Sequence, residues 1–334
     1  MTRRIVVTGG CGYIGSHVAR AFKENGDEVL IIDKVMRQHT LKDIDGWHIG
    51  DFADDAALAA IYDIQPDVIV HCAGTSLVGP SMTEPAEYYE NNVVKTVRLM
   101  DYIKTLNKLP VVMFSSSASV YGDPDCLPIK EYDEIKPMSP YGSTKATCEL
   151  ILKDYSRAYG IDTVCFRYFN AAGAMPGTYD LGQEPDATHI VARVLEASLA
   201  GRAFTINGDD FETEDGTCIR DYVHVWDIAL AHVRAVGYFA RKGQTRTAIA
   251  ETFNLGTNKG VSNREIVDYV VKKYGIPFVN YGPARPGDPP ELIADATKAR
   301  EELGWTPQFS DIKTIIDTAY RWYAPLNTVG NNEL

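Results

Sequence analysis

The chain has 334 residues, enough to bury one or two sizeable hydrophobic cores. Its 45 acidic and 33 basic residues leave a formal net charge of −12, which argues against a nucleic-acid partner. No apolar run approaches the roughly 20 residues that cross a bilayer, so we expect no membrane partner. The six cysteines are scattered without a CxxC pair, so we expect reduced thiols, a cytoplasmic location and no metal site.

The first 33 residues predict the order strand, glycine loop, helix, strand, acid. Residues 5–8 are a β-branched run, and residues 29–32 are a second apolar run that leads into Asp33. Between them lie a glycine-rich loop and a helical pattern over 13–25. This order is typical of the first half of a dinucleotide-binding fold.

Each part of this segment has a physical role in holding a dinucleotide. Gly9, Gly12 and Gly15 permit a tight turn, close approach of the backbone to a pyrophosphate, and close packing of the helix on the sheet. The helix N-terminus offers unpaired N–H groups to the phosphates. The carboxylate of Asp33 can accept hydrogen bonds from a ribose 2′-hydroxyl and would repel a 2′-phosphate, so the predicted cofactor is NAD rather than NADP.

Strands and helices continue to alternate as far as residue 173. Buried strands are predicted at 68–71, 111–114 and 163–166, and the turn at 72–74 follows the first of them, at the edge where such sheets bind ligands. Helices are predicted at 54–62, 85–108 and 139–159. The alternation predicts an α/β fold with a Rossmann-type, doubly wound parallel sheet, and residues 1–173 form its NAD-binding domain.

Beyond residue 174 the regular alternation ends. Helical patterns are separated by short apolar runs and by a segment rich in proline and glycine at 281–290. These patterns lie near 190–200, 226–239, 263–274, 297–303 and 312–323. We predict a smaller C-terminal lobe over 174–334, mainly substrate-binding, with some segments returning to the main sheet.

A tyrosine and a lysine four residues apart begin the helix predicted at 139–159. Tyr141 and Lys145 share one helix face, and Ser117 follows a neighbouring strand. A hydroxyl carbon releases hydride only as its O–H proton leaves. An ordinary tyrosine has a pKa of about 10, so it needs nearby positive charge to take that proton near neutral pH. Ser117 can hold the same hydroxyl in line. An isolated pair of this kind more often decorates a solvated helix start, but the preceding dinucleotide fingerprint favours a catalytic pair.

Several motifs together resemble a known family. Three of them, TGGCGYIG at 8–15, SSSASVYG at 115–122 and YGSTK at 141–145, are similar to the extended short-chain dehydrogenase/reductases. Two more, FRYFN at 166–170 and TEDGTCIRDYVHV at 213–225, resemble the UDP-glucose 4-epimerases. This likeness covers nearly the whole chain.

The resemblance implies an isomerase that interconverts UDP-galactose and UDP-glucose with tightly held NAD. Tyr141 would take the proton of the 4-hydroxyl while C4 passes hydride to the cofactor. The 4-keto sugar would then turn and receive the hydride on its other face. The resemblance also implies a homodimer, formed through helices near 86–107 and 140–159.

It further assigns residues to the cofactor and to the UDP-sugar. The implied catalytic residues are Tyr141, Lys145 and Ser117. The implied cofactor-binding residues are Gly9, Gly12, Tyr13, Ile14, Gly15, Asp33, Asp51, Phe52, Cys72, Ala73, Gly74, Asn92, Ser115, Tyr141, Lys145 and Tyr168. The implied substrate-binding residues are Ser117, Tyr141, Asn170, His189, Asn207, Arg220, Arg285 and Asp288. Asp51 suits a helix N-cap equally well, and the two arginines suit a diphosphate through their fork-shaped donors.

Three positions depart from the family pattern. Ser76 stands where many members carry a lysine that reaches the cofactor ribose, and Asn207 stands where an aromatic residue usually covers the uracil. Leu292 occupies a position whose size influences whether N-acetylated sugars fit. His71 and His224 are expected to be packed structural histidines.

Other activities remain open on the sequence. A 4-epimerase of another UDP-sugar, an N-acetylhexosamine, pentose or uronate, would carry the same motifs. A nucleotide-sugar dehydratase commonly has an Asp-Glu pair where this chain has Ser117-Ala118, which disfavours it. A non-catalytic NAD-binding sensor would be expected to lack the pair Tyr141 and Lys145.

Overall fold

Seven parallel strands form the central sheet of the computed structural model, which describes residues 2–178, 180–185, 187–242, 247–276, 278–284 and 288–330, with side chains as far as 325. The strands of the described residues are β1 (Arg4–Thr8), β2 (Glu28–Asp33), β3 (Gly46–Ile49), β4 (Val68–His71), β5 (Val111–Ser117), β6 (Thr163–Tyr168), β7 (Asn170–Ala172), β8 (Phe204–Asn207), β9 (Ile219–His224), β10 (Ala250–Leu255), β11 (Gly260–Ser262), β12 (Val279–Gly282) and β13 (Glu291–Leu292). The central sheet has the order β10-β6-β5-β4-β1-β2-β3.

Helices cover both faces of this sheet. Within the same ranges they are α1 (Tyr13–Glu24), α2 (Asp55–Ile64), α3 (Val78–Ser81), α4 (Pro85–Tyr88), α5 (Lys95–Ile103), α6 (Pro140–Tyr159), α7 (Ile190–Leu199), α8 (Val225–Lys242), α9 (Asn263–Tyr274) and α10 (Ile312–Gly330). A π-helical turn over Tyr89–Val94 joins α4 to α5, and another spans Ala299–Leu303.

Successive residues of each strand pack into opposite layers. Ile5 and Val7 of β1 lie in the layer that contains Phe22 of α1 and the helix α8. Val6 lies in the other layer, with α2 and α6. Because both faces are covered, the strands read as continuous apolar runs, the pattern expected of a parallel sheet.

The strand order reverses between β1 and β4. From β1 the chain proceeds outward through β2 and β3, whereas β4, β5, β6 and β10 extend to the other side. The loops that leave the carboxyl ends of β1 and β4 therefore run in opposite directions and leave a crevice between them. In open α/β sheets such a switch point is where ligands bind.

The C-terminal half builds smaller sheets over this edge. Strand β9 pairs with β7, β11 and β13, and β8 pairs with β12. Helices α7, α9 and α10 pack together on a separate apolar cluster. None of the described helices is both long enough and apolar enough to span a membrane.

The doubly wound parallel sheet predicted from the sequence is confirmed, with two strands added. β3 and β10 are edge strands with partly exposed residues, so neither shows an uninterrupted apolar run. The helix predicted at 85–108 is divided by a π-helical turn and ends at Ile103. The division at residue 173 stays a prediction, since β7 belongs to a smaller sheet and β10 returns to the central one.

Candidate active site

The glycine loop packs against the turn after β4 at the switch point. Gly9 has a φ of +70°, and a Cβ there would lie 2.6 Å from the backbone nitrogen of Ala73. A Cβ on Gly15 would lie 2.2 Å from the carbonyl oxygen of Gly9. Among the described side chains none caps α1, whose N-cap is Gly12. Its first N–H groups therefore remain open to an anion, and the loop fits a pyrophosphate.

Asp33 is held at the rim of this loop by backbone donors. The N–H groups of Cys11 and Val35 donate to its two carboxylate oxygens at 2.9 and 3.0 Å. A carboxylate has about four acceptor sites, so Asp33 keeps capacity for two ribose hydroxyls.

One continuous cavity of about 1690 Å³ extends from the glycine loop to the smaller sheets. Pockets for one small ligand usually have roughly 300–1,000 Å³, so this volume has room for a dinucleotide and a second ligand. The sequence-predicted residues that line it are Gly9, Gly12, Tyr13, Ile14, Gly15, Asp33, Phe52, Cys72, Ala73, Gly74, Ser115, Ser117, Tyr141, Lys145, Tyr168, Asn170, His189, Asn207, Arg220 and Asp288.

Asp51 and Asn92 lie behind the cavity wall. Lys34 and Lys95 bind the Asp51 carboxylate at 2.9 and 2.6 Å. Although burial raises the pKa of Asp51, hydrogen bonds from the two lysines outweigh it and lower that pKa to about 2. Asn92 accepts from the backbone N–H of Thr75 at 2.8 Å and donates to the carbonyl of Thr75 at 3.0 Å. Asp51 thus pairs with two lysines and Asn92 holds the backbone of Thr75, and neither residue lines the cavity.

Tyr141 and Lys145 lie in the first two turns of α6. The helix starts at Pro140 because Ser139 caps it, its hydroxyl accepting from the backbone N–H of Gly142 at 3.1 Å. The ammonium of Lys145 donates to the carbonyl of Ser115 at 2.7 Å and lies 5.8 Å from the centroid of the Tyr141 ring. Both side chains are at least nine-tenths buried. The pair therefore places a buried ammonium beside the ring of a buried tyrosine.

Ser117 is the last residue of β5 and lines the same cavity. Its hydroxyl accepts from the backbone N–H of Ser119 and donates to the Ser119 hydroxyl, both at 3.1 Å. Strand β5 therefore presents the carbonyl that holds Lys145 and, two residues later, a hydroxyl that faces the cavity.

His71 and His224 are buried and hydrogen-bonded, as expected for packed histidines. The ring of His71 lies between the hydroxyls of Thr8 and Thr96, at 2.7 and 2.9 Å. Burial, with a contribution from Lys145, lowers its pKa to about 3. His224 contacts the Thr318 hydroxyl at 3.0 Å.

The far half of the cavity is lined from several elements of the smaller sheets. Asn170 lies on β7, Asn207 ends β8, and His189 immediately precedes α7. Arg220 of β9 donates to the carbonyl of Ile219 at 2.8 Å and to that of Pro290 at 3.2 Å, which orients its guanidinium. Arg285, also predicted to bind substrate, lies outside the described residues.

Arg193 is a further cation on this wall that the sequence reading missed. It lies on α7 four residues after His189, is exposed, and lines the cavity. The helical spacing of His189 and Arg193 was the available signal, since residues four apart share a helix face. Ser76 and Leu292, two of the positions that depart from the family pattern, also line the cavity.

Comparison with known proteins agrees with this geometry. The sequence pattern of the NAD dependent epimerase/dehydratase family matches residues 5–256. The chain belongs to this family. It is 40% identical over 325 residues to a UDP-glucose 4-epimerase of Halalkalibacterium halodurans, covering 96% of this chain and 95% of that protein.

Solved structures from this epimerase/dehydratase family have the same fold. The UDP-glucose 4-epimerase of Brucella ovis in complex with NAD has a TM-score of 0.90 at 38% identity, covering 97% of this chain and 99% of that one. The enzyme of Bifidobacterium longum in complex with NAD+ and UDP has a TM-score of 0.88 at 31% identity, covering 96% and 98%.

Proposed function

We propose that this protein is an NAD-dependent UDP-glucose 4-epimerase that interconverts UDP-galactose and UDP-glucose. The observation that carries the proposal is the Tyr141–Lys145 pair, which faces one cavity shared by the glycine loop and by Arg220. A base beside a dinucleotide cradle suits oxidation of an alcohol. The far half of the cavity, which carries Arg220, suits a nucleotide diphosphate. A relative of 40% identity is named UDP-glucose 4-epimerase.

In this proposal Tyr141 moves the proton and Lys145 supports it. The phenolate of Tyr141 takes the proton of the sugar 4-hydroxyl as hydride leaves C4. The ammonium of Lys145, held by the Ser115 carbonyl, stabilises the phenolate before and after that transfer. Ser117 donates to or accepts from the same sugar oxygen and keeps it in line with the base.

The glycine loop, Asp33 and the turn after β4 would hold the cofactor. When bound, NAD supplies a reversible hydride acceptor. Tyr13 and Ile14 would offer backbone donors at the start of α1, while the N–H of its N-cap Gly12 is held by the carbonyl of Gly9 at 3.0 Å, and Asp33 would accept from the adenosine ribose. Because Ser76 stands in place of the usual lysine, Lys145 would be the lysine that supports the cofactor beside Tyr141.

The far half of the cavity would hold the nucleotide while the sugar turns. Arg220 and Arg193 are the described cations on that wall, and Asn170, Asn207 and Asp288 supply amide and carboxylate groups. If the diphosphate stays bound there, the 4-keto sugar can expose its other face to the returned hydride. That return inverts C4 and restores the proton from Tyr141.

Conversion of UDP-galactose by the purified protein, without added reductant, tests the proposal directly. Anion-exchange separation should reveal UDP-glucose, and the reverse reaction should reach the same product ratio. Cofactor released by acid from the same preparation is measured in parallel. Protein that carries NAD but forms no UDP-glucose would refute the assignment. UDP-N-acetylgalactosamine and UDP-arabinose, run side by side, determine which other UDP-sugars the site accepts.

We also infer a cytoplasmic homodimer. The helices proposed for the interface, near 86–107 and 140–159, carry exposed apolar side chains, among them Val94 and Leu150. All six cysteines are unpaired, which suits a reducing compartment. Light scattering should give twice the chain mass, and Val94→Glu with Leu150→Glu should shift it towards the monomer. A wild-type protein of monomeric mass would exclude the dimer.

A further inference from the structure

Glu149 and Arg167 form a buried ion pair directly behind the catalytic residues. Glu149 is 8% exposed and Arg167 is 3% exposed. Arg167 donates from Nη2 to Oε2 of Glu149 at 2.6 Å and from Nε to Oε1 at 3.0 Å. Two parallel bonds of this kind hold a carboxylate in one orientation.

The pair connects the elements that carry the proposed active site. Tyr141, Lys145 and Glu149 follow one another at four-residue intervals, so they share one face of α6. Arg167 lies on β6, opposite Ser116 of β5 in the strand register. The hydroxyl of Ser116 also donates to Glu149, at 2.5 Å. The network thus joins α6 to the strand that presents Ser115 and Ser117.

The guanidinium is further fixed on its outer side. Its Nη1 donates to the Tyr121 hydroxyl at 2.7 Å and to the carbonyl of Glu131 at 2.9 Å. Tyr121 in turn donates to the side chain of Asn254 on β10 at 2.7 Å. Arg167 therefore stays against Glu149 without depending on solvent.

A carboxylate four residues from a lysine on one helix face ordinarily attracts it. Within the described part of the chain Lys145 makes no ion pair. Its ammonium lies instead on the carbonyl of Ser115, 4.7 Å from the ring of Phe114 and 5.8 Å from that of Tyr141. The carboxylate that would compete for it is taken by Arg167.

Tyr121, whose pKa burial raises to about 12, and Glu131, whose carboxylate accepts from the backbone N–H of Asn254 at 2.9 Å, flank Arg167 on its outer side. The remaining buried titratable groups near Tyr141 and Glu149 are neutral near pH 7. They are His71 and Cys72 beside β4, Cys165 and Tyr168 of β6, Tyr88 of α4 and Cys148 of α6. Burial lowers the pKa of His71 to about 3 and raises those of Cys72 and Cys148 to about 12 and 11, and it also raises the pKa values of the remaining three. Glu87 of α4 and Asp33 of β2 lie on the open cavity wall, where water screens their charge.

We propose that Arg167 neutralises the Glu149 carboxylate so that the charge of Lys145 acts on Tyr141, which makes Arg167 and Glu149 positioning residues of the catalytic pair. The inference rests on the function proposed above. Eight residues of helix separate Tyr141 from Glu149 by about 12 Å. At an effective dielectric constant of about 20, one unbalanced charge at that distance changes a protonation equilibrium about tenfold, or about one pH unit.

Three variants test the proposal through the acid limb of the kcat–pH profile for UDP-galactose. Arg167→Gln leaves Glu149 unbalanced and should move the limb upward by about one pH unit. Glu149→Gln leaves Arg167 unbalanced and should move it downward by a similar amount. The double variant carries no charge at either position. Its acid limb should therefore lie within about 0.3 pH units of the wild-type limb, although its Tm is lower. Because the Arg167→Gln protein risks misfolding, Glu149→Gln and the double variant carry the test alone if needed.

Asp27→Asn is the matched control, since it breaks a partly buried Arg3–Asp27 pair remote from the cavity. This variant should lower Tm without changing the pH at which the acid limb of the kcat–pH profile lies. Ionisation of Tyr141 can also be measured without turnover, by a pH titration of near-ultraviolet absorbance. The absorbance of each holoenzyme is compared with that of the same protein carrying Tyr141→Phe. The titration therefore gives a result even if the proposed reaction is wrong. Single variants that lose stability but ionise Tyr141 at the wild-type pH would overturn the inference.

Discussion

Replacement of Lys145 by methionine tests the electrostatic part of the proposed mechanism most directly. Methionine has a similar length and fills the same buried volume, so the change removes mainly the charge. In the structure that charge lies 5.8 Å from the centroid of the Tyr141 ring. With the phenolate charge placed at the ring centroid and an effective dielectric constant of about 20, the attraction is about 3 kcal/mol. This corresponds to about two pH units, or roughly a hundredfold in phenolate population.

The assay is the pH dependence of kcat with UDP-galactose, measured on protein with known NAD content. The acid limb of the Lys145→Met variant should lie about two pH units above that of wild type, so kcat near pH 7 falls roughly a hundredfold and recovers in part at high pH. The carbonyl of Ser115 also loses its donor, which should lower the free energy of unfolding by about 1–3 kcal/mol.

Lys153→Met is the matched control because Lys153 is an exposed lysine on the same helix, two turns further on. It should leave both the acid limb and the unfolding free energy close to wild type. The electrostatic reasoning is refuted if Lys145→Met lowers kcat equally at every pH, or if its acid limb coincides with that of wild type.

Three other measurements test the base, the glycine loop and the buried histidines. Tyr141→Phe should keep bound NAD but lower kcat by roughly 10²–10⁴-fold, the usual contribution of a general base; unchanged turnover would remove Tyr141 from the mechanism. Gly15→Ala would bring its Cβ within 2.2 Å of the Gly9 carbonyl oxygen, so we expect protein purified without NAD; a full complement of cofactor would contradict that. Four buried histidines have pKa values lowered, chiefly by burial, to about 3 or 4, so the unfolded chain binds more protons than the folded one below pH 6.5. Those histidines are His17, His71, His224 and His232. Asp221, whose pKa burial raises to about 6, opposes them in part. Denaturant unfolding at pH 6 and pH 5 should therefore show a loss of about 4 kcal/mol on acidification, the equivalent of about three protons, and a stability that rises on acidification would show the sign to be wrong.

Much of the candidate site could be predicted because its signals are local. The glycine loop, the start of α1 and Asp33 lie within one short segment, and the strand and helix periods around them are regular. Tyr141 and Lys145 follow a serine cap and a proline at a helix start, which fixes the helical phase and hence their common face. The roles given to individual site residues nevertheless stay predictions until the variants are measured.

Contacts between segments far apart in the chain are not indicated by any local sequence pattern. The carboxylate of Asp51 is paired with Lys34 and Lys95, and the sequence alone could not distinguish this pairing from a contact with the cofactor or from a helix N-cap. Arg193 reaches the cavity only because α7 packs beside the smaller sheets. A surface arginine and a ligand-binding arginine look alike until the chain folds.

By itself, the order of residues determined the parallel α/β fold, the dinucleotide cradle and the face shared by Tyr141 and Lys145, because each depends on hydrogen-bonding periods and caps spanning a few residues. Tertiary structure decided which strand lies beside β6, which carboxylate receives Arg167, and how the two halves enclose one cavity. Those outcomes depend on burial of charge and apolar surface between segments far apart in the chain, and a local pattern carries no information about that burial.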